Sequence, residues 1–214
     1  MLKHNLLNSM YVPTYFAEHD IAKLHEAMER YSFATLVSGS GIDLVANHLP
    51  LLVERQSGSH GKLLGHMARA NPQWKQAAGQ EVLAIFAGPH AYISPTWYEA
   101  DHVVPTWNYV AVHAYGRLEL IAGDAELKSL VSRMVDVYEA GQPRPWSIAD
   151  QSSYIDRLLP QIVGFRIPIT RLEGKWKLNQ NRPTEQRQRV VEVLARQDDA
   201  NSREVARLMR ERDA

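Results

Sequence analysis

The chain has 214 residues, 45% of them hydrophobic, with 24 basic and 24 acidic side chains and no cysteine. That length buries a sizeable core, as one large domain or one domain with a small appendage. Zero formal charge removes the case for indiscriminate nucleic-acid binding and leaves only local patches. The lack of cysteine excludes disulfides and thiolate metal centres.

The opening "MLKHNLLNSMYVPTYF" has no apolar stretch of signal-peptide length. No apolar run approaches the ~20 residues of a membrane span. A soluble, cytoplasmic protein is expected. All nine histidines lie at or before His113, which directs the search for small-molecule chemistry to the first half.

"DIAKLHEAMERYSF" predicts an amphipathic helix capped by Asp20, with Ile21, Leu24, Ala27 and Met28 on one face. "FATLVS", the turn "GSG" and "IDLVANHLPLLVER" predict a β-hairpin, with Pro50 placing its second strand at an edge or bulge. "GKLLGHMA" predicts a third strand. "RANPQWKQAAG" predicts a helix capped by Asn71 with Pro72 at its first position. "EVLAIFAG" predicts a fourth strand, and "GPHAYISPTWYEADHVVPTW" a long aromatic loop.

"VPTWNYVAVHAYGRLEL" predicts the fifth strand. Period two places Thr106, Asn108, Val110, Val112 and Ala114 on one face and Trp107, Tyr109, Ala111, His113 and Tyr115 on the other. Neither face is polar throughout, so both are expected to be covered. "GDAELKSLVSRMVDVYEAG" predicts a helix capped by Asp124 and ended by Gly141. "IADQSSYIDRLL" predicts a short helix, "IVGFRIPITRLEGKWKL" one or two strands, and the tail a helical pair. The hairpin connections and the absence of a G-x-G-x-x-G or phosphate-loop motif argue against a Rossmann sheet. They predict an antiparallel barrel with peripheral helices, class α+β and mainly β. Residues 1–183 form the expected barrel domain and 184–214 a helical extension packing on the barrel or a dimer.

Several stretches could bind a ligand. Trp107 and Asn108 open the fifth strand, which could face a helix, a planar ligand or a second subunit. Arg69 lies before the helix at Asn71, where free backbone N–H groups favour an anion. A capped helix with a surface arginine has the same pattern. Lys177, Gln180, Asn181 and Arg182 follow the last strand, where they could reach a phosphate and a heterocycle edge or form a solvated connector. His90 and His102 lack zinc-site spacing, and no metal centre is expected. No nucleophile, general base or other catalytic constellation stands out.

The motifs "MYVPTYF", "NHLPLL", "GHMARANPQW", "FAGPHAYISPTWY", "VPTWNYVAVHAYG" and "KLNQNRP" together resemble the PaiB-type family, described as FMN-binding negative transcriptional regulators. The resemblance spans most of the chain, with Asn179 where the family usually has serine. It implies a six-stranded split β-barrel of the pyridoxamine-phosphate-oxidase type, with FMN at a homodimer interface. It also implies that Ala46, Asn47, His48, His66 and Met67 line the flavin and that Arg69 and Asn71 lie near its phosphate. The two adjacent basic residues of the oxidases are not reproduced. Direct DNA binding would fall to Arg187, Arg189, Arg203, Arg207 and Arg210, but residues 184–214 carry seven arginines against seven acids. Weak DNA binding or none is therefore expected. The competing functions are a flavin- or haem-dependent oxidoreductase on the same fold and a ligand-free dimeric module.

Overall fold

The computed structural model describes residues 9–39 and 42–213. Its elements follow in the order β1 (Ala17–Glu18), α1 (Ile21–Arg30), β2 (Phe33–Ser38), β3 (Val45–Pro50), β4 (Leu52–Glu54), β5 (Lys62–Ala68), α2 (Gln73–Ala77) and β6 (Glu81–Ile93). Then come β7 (Thr106–Arg117), β8 (Glu119–Leu120), α3 (Asp124–Glu139), α4 (Ser152–Leu158), β9 (Ile162–Lys177), α5 (Thr184–Ala195) and α6 (Ala200–Asp213). Neighbouring strands hydrogen-bond in the order β3-β2-β6-β7-β9-β5-β4, and β1 and β8 also pair with β9. The fold is α+β, with a mainly antiparallel sheet.

Most predicted elements form where the pattern placed them. Asp20 does cap α1, its Oδ1 accepting from Ala22 N at 2.9 Å. Pro50 does mark an edge, because β3 ends the strand path. Three expectations change. The hairpin's second strand is two strands, broken at Leu51, whose N–H turns to Ser32 O at 2.9 Å. Residues 40 and 41 of the "GSG" turn lie outside the described residues. β6 runs on to Ile93, so "GPHAYI" is strand and not loop; alternate burial of Ala91 and Ile93 carries the pleat past Pro89. Asp124 is the first residue of α3 and Gly123 its cap.

The chain divides into two compact units, and β6, β7, β9 and α1 contribute to both. One comprises residues 25–86 and 114–172. In it β2 pairs with β3 and β6, and β5 with β4 and β9, all antiparallel. Leu52, Leu64, Leu130 and Met134 form a core cluster against which Ile121 packs. Gly116 admits no side chain, because a Cβ there would lie 2.2 Å from Pro168 O.

The other unit comprises residues up to 24, 87–113 and 173–214. Its organising residue is Tyr98, fully buried in the short 3-10 turn Pro95–Tyr98. Asn179 donates its side-chain N–H to the Tyr98 hydroxyl at 3.1 Å. Arg189 of α5 donates to Tyr98 O at 2.8 Å, and Arg182 lies 5.0 Å from the ring centroid. Asn179 itself has φ of 64°, a left-handed conformation that asparagine tolerates better than most residues. Burial raises the Tyr98 pKa above its ordinary value, and the bond from Asn179 and the Arg182 charge only partly oppose this. The phenol therefore stays neutral.

Tyr98→Phe leaves the buried Asn179 amide without its acceptor. It should lower unfolding free energy by about 1–3 kcal/mol in a urea titration. An unchanged midpoint would mean the phenol does not hold this turn.

Candidate functional site

The expected site residues fall into the two units separately, and the strand period sorts them further. In the unit of residues 25–86 and 114–172, Ala46 and His48 point outward from β3 while Asn47 points the opposite way. His48 Nδ1 lies 3.0 Å from Thr35 Oγ1, and its ring stacks on Phe33 with centroids 6.1 Å apart. Asn47 donates to Gln73 Oε1 at 2.8 Å. Gln73 is fully buried, and its side-chain amide donates to Leu36 O and Ser38 Oγ at 3.0 and 3.1 Å.

Asn71 joins the same knot. Its Oδ1 accepts from Gln73 N at 3.0 Å. The expected cap thus exists as a side-chain bond, although α2 begins two residues later, at Gln73, and Pro72 holds the cap position. Five residues give α2 little dipole to offer an anion. Arg69 is also engaged. Its Nε donates to Pro160 O at 2.6 Å and its Nη2 to Ile162 O at 2.9 Å. Two of the guanidinium nitrogens therefore tie strand ends together.

His66 and Met67 point to opposite sides of β5. Met67 is buried. The Nδ1 of His66 lies 3.3 Å from Met134 Sδ, and burial lowers the imidazole pKa below its ordinary value.

In the other unit, the β7 alternation is as expected: one face is buried, and the other is half-buried at Tyr109, Ala111 and His113 and open at Trp107. Asn108 is fully buried, with Nδ2 3.5 Å from Met209 Sδ on α6 and no partner for its Oδ1. Trp107, one residue away and so on the opposite face, is 53% exposed. Its ring meets Tyr92 edge-on at 5.8 Å and His90 at 6.2 Å. Lys177 joins it, donating to Trp107 O at 2.6 Å and to the Thr106 hydroxyl. Burial, and secondarily the charge of Lys175, lowers the Lys177 pKa.

The structure thus brings Trp107 and Lys177 together. It gives Gln180 a local task, accepting from Leu178 N and donating to Trp176 O. Arg182 lies over Tyr98, and Asn181 is exposed. Gln73, Tyr98, Thr106 and Lys175 were not singled out in the sequence. Only Lys175 had a legible signal, the Lys-x-Lys alternation of "GKWKL".

Residues 10–171 match the family described as "Putative FMN-binding domain". The chain is 35% identical over 206 residues to "Protease synthase and sporulation protein PAI 2" of Bacillus subtilis, an alignment covering 95% of this chain and 98% of that protein. Among solved structures it resembles the flavocytochrome Anf3 of Azotobacter vinelandii, with TM-score 0.56, 14% identity, and 78% and 72% of the two chains covered. The FAD and heme binding protein of Mycobacterium smegmatis gives TM-score 0.55, 14% identity and 75% and 73% coverage. At such identities the likeness is one of fold, and the fold is the split barrel expected from the sequence. No described helix is long and apolar enough to cross a membrane.

The His66 shift fixes a pH dependence. An imidazole whose folded pKa is lowered binds its proton more readily in the unfolded chain. Its contribution is fully present above the unfolded value of about 6.5. It is lost as pH falls through the lower folded value. Unfolding free energy should therefore decline from pH 7 to pH 5, and less steeply in His66→Gln. Identical slopes would assign the decline to other groups.

Proposed function

The chain belongs to the PaiB-type family of FMN-binding proteins, and on that premise we propose that it is an FMN-binding regulator that represses transcription as a homodimer. The observation that carries this reading is the aromatic face of β7. Trp107 is exposed on a strand whose other face is closed, and Tyr92 beside it is 46% exposed. A planar, largely apolar isoalloxazine gains most from such a surface, by offset stacking and by removal from water. Lys177 fixes the Trp107 backbone carbonyl. Val104 is exposed on the segment leading into β7, and exposed apolar surface of this kind favours burial against a second copy.

The relative's name, with its reference to protease synthesis and sporulation, supports a regulatory role over a metabolic one. The tail helices are poorly suited to contact DNA directly. Arg207 pairs with Glu204 at 2.8 Å and also with Glu211. Arg212 pairs with Glu18 at 3.0 Å, and Arg189 with Glu99 at 3.3 Å. Arg203 donates to Gln197 O at 3.1 Å. These contacts hold the helices in their own unit, and the carboxylates on Arg189, Arg207 and Arg212 offset the charge that a phosphate backbone would need. Repression then runs through the flavin-bound dimer and not through a groove-reading tail.

FMN titrated into the purified chain should bind and give a flavin spectrum, and Trp107→Ala should weaken it about tenfold, the scale of one aromatic contact. Light scattering on the same samples should give a two-chain mass. A protein that binds no FMN, or a haem spectrum, would refute the flavin assignment. In gel shifts on its own upstream DNA the chain should give no shift at physiological salt. A tight, salt-sensitive shift abolished by Arg203→Ala and Arg210→Ala would place DNA recognition in the tail after all.

A further inference from the structure

Residues 175 and 177 of β9 are two apart on one strand and so share a face. Lys175 is only 7% exposed. Its ammonium donates to Tyr11 O at 2.7 Å and lies 5.5 and 5.2 Å from the ring centroids of Tyr11 and Tyr109. Lys177 donates to Trp107 O and the Thr106 hydroxyl, with the Phe16 ring 5.9 Å away. Among the described residues neither ammonium has a carboxylate partner.

Carbonyls, a hydroxyl and ring faces attract a cation but cancel none of its charge. Two like charges therefore stand side by side, one of them almost wholly out of water, where an uncompensated charge is costly. The lowered Lys177 pKa reflects this strain: burial is its first cause and Lys175 the second. Each ammonium has three N–H donors. Lys177 has one left over and Lys175 two, and what they lack is an acceptor that carries negative charge.

We propose that Lys175 and Lys177 form a binding site for a phosphoryl oxyanion, either inorganic phosphate or the phosphate of a phosphomonoester. Lys177, the more exposed of the two, makes the contact. Lys175 supplies charge from beneath. Tyr11 and Phe16, from the "MYVPTYF" segment, wall the site and fix the direction of both side chains. The inference stands whether or not the chain binds flavin, because it rests on the two unpaired ammoniums alone.

The test uses the full chain without added flavin. Inorganic phosphate should raise the thermal midpoint of the wild type where chloride at matched ionic strength does not. Lys177→Met should weaken phosphate binding about tenfold or more, the scale of a hydrogen bond to a charged group. Lys177→Arg should retain it. Acetylation of wild-type Lys177, followed by mass spectrometry, should slow in phosphate while that of Lys23 does not, a readout that needs no variant to fold.

Parallel titrations with FMN and riboflavin identify the source of the anion. FMN preferred over riboflavin in the wild type, but not in Lys177→Met, assigns the site to the flavin's own phosphate. Phosphate that binds without displacing FMN assigns it to a separate anion. No phosphate protection of the wild type, together with equal FMN affinity in the wild type and Lys177→Met, overturns the proposal. So does phosphate protection that Lys177→Met leaves unchanged.

Discussion

A phenol removed from water must have its hydrogen bonds supplied by the protein, and Tyr98 is such a group. The side chain of Asn179 donates to its hydroxyl, the cation of Arg182 lies over its ring, and the guanidinium of Arg189 donates to the backbone carbonyl of the same residue. Those three residues lie in the turn after β9 and in the first helix of the tail. The tail is therefore part of its unit's structure. Val190 and Leu194 are buried on α5, as are Val205, Ala206 and Met209 on α6. Arg189 alone carries two contacts, one to the Tyr98 carbonyl and one to Glu99. A residue that reads as a candidate phosphate contact in the sequence is, in the fold, a tie between the tail and the 3-10 turn.

The same conversion happens around Gln73. Asn47 and Asn71 both resemble ligand contacts when read along the chain, and both bond to Gln73. Gln73 in turn bonds to β2, so a buried amide joins α2, β2 and β3. A buried polar network of this sort fixes one arrangement of strands, because any other leaves donors unmet. Arg69 acts likewise through the carbonyls of Pro160 and Ile162. In the other unit, Lys175 and Lys177 likewise meet carbonyls, and among the described residues they have no carboxylate partner.

Much of the fold was legible, for reasons visible in single elements. The alternation of β7 reports burial because the pleat forces successive side chains apart. That pattern correctly put Asn108 and Trp107 on opposite faces. Pro50 betrayed an edge because it cannot donate to a neighbouring strand. What was not legible depended on distant partners. Nothing in "NPQW" says that Gln73 will meet Ser38, and nothing in "SPTWY" says that Tyr98 will meet Asn179. The extension of β6 through "GPHAYI" was hidden by Gly88 and Pro89, which read as turn residues although the alternate burial of Ala91 and Ile93 overrides them. The anion-binding pair was half visible: the spacing of Lys175 and Lys177 is in the sequence, but their lack of a carboxylate partner is not.

The route of the chain through Tyr98 also orders events during synthesis. The ring emerges from the ribosome well before Asn179, Arg182 and Arg189. At ordinary rates of translation the delay before Arg189 is made is roughly five to twenty seconds. For that interval the aromatic segment that precedes β7 has none of its later clasps, and the exposed strand behind it is also waiting for β9. The unit that carries Trp107 can close only near the end of translation. A nascent chain stalled before residue 179 would present this apolar surface to the chaperones that attend the ribosome, and a stop codon at or before that residue would leave the same surface open in the released product.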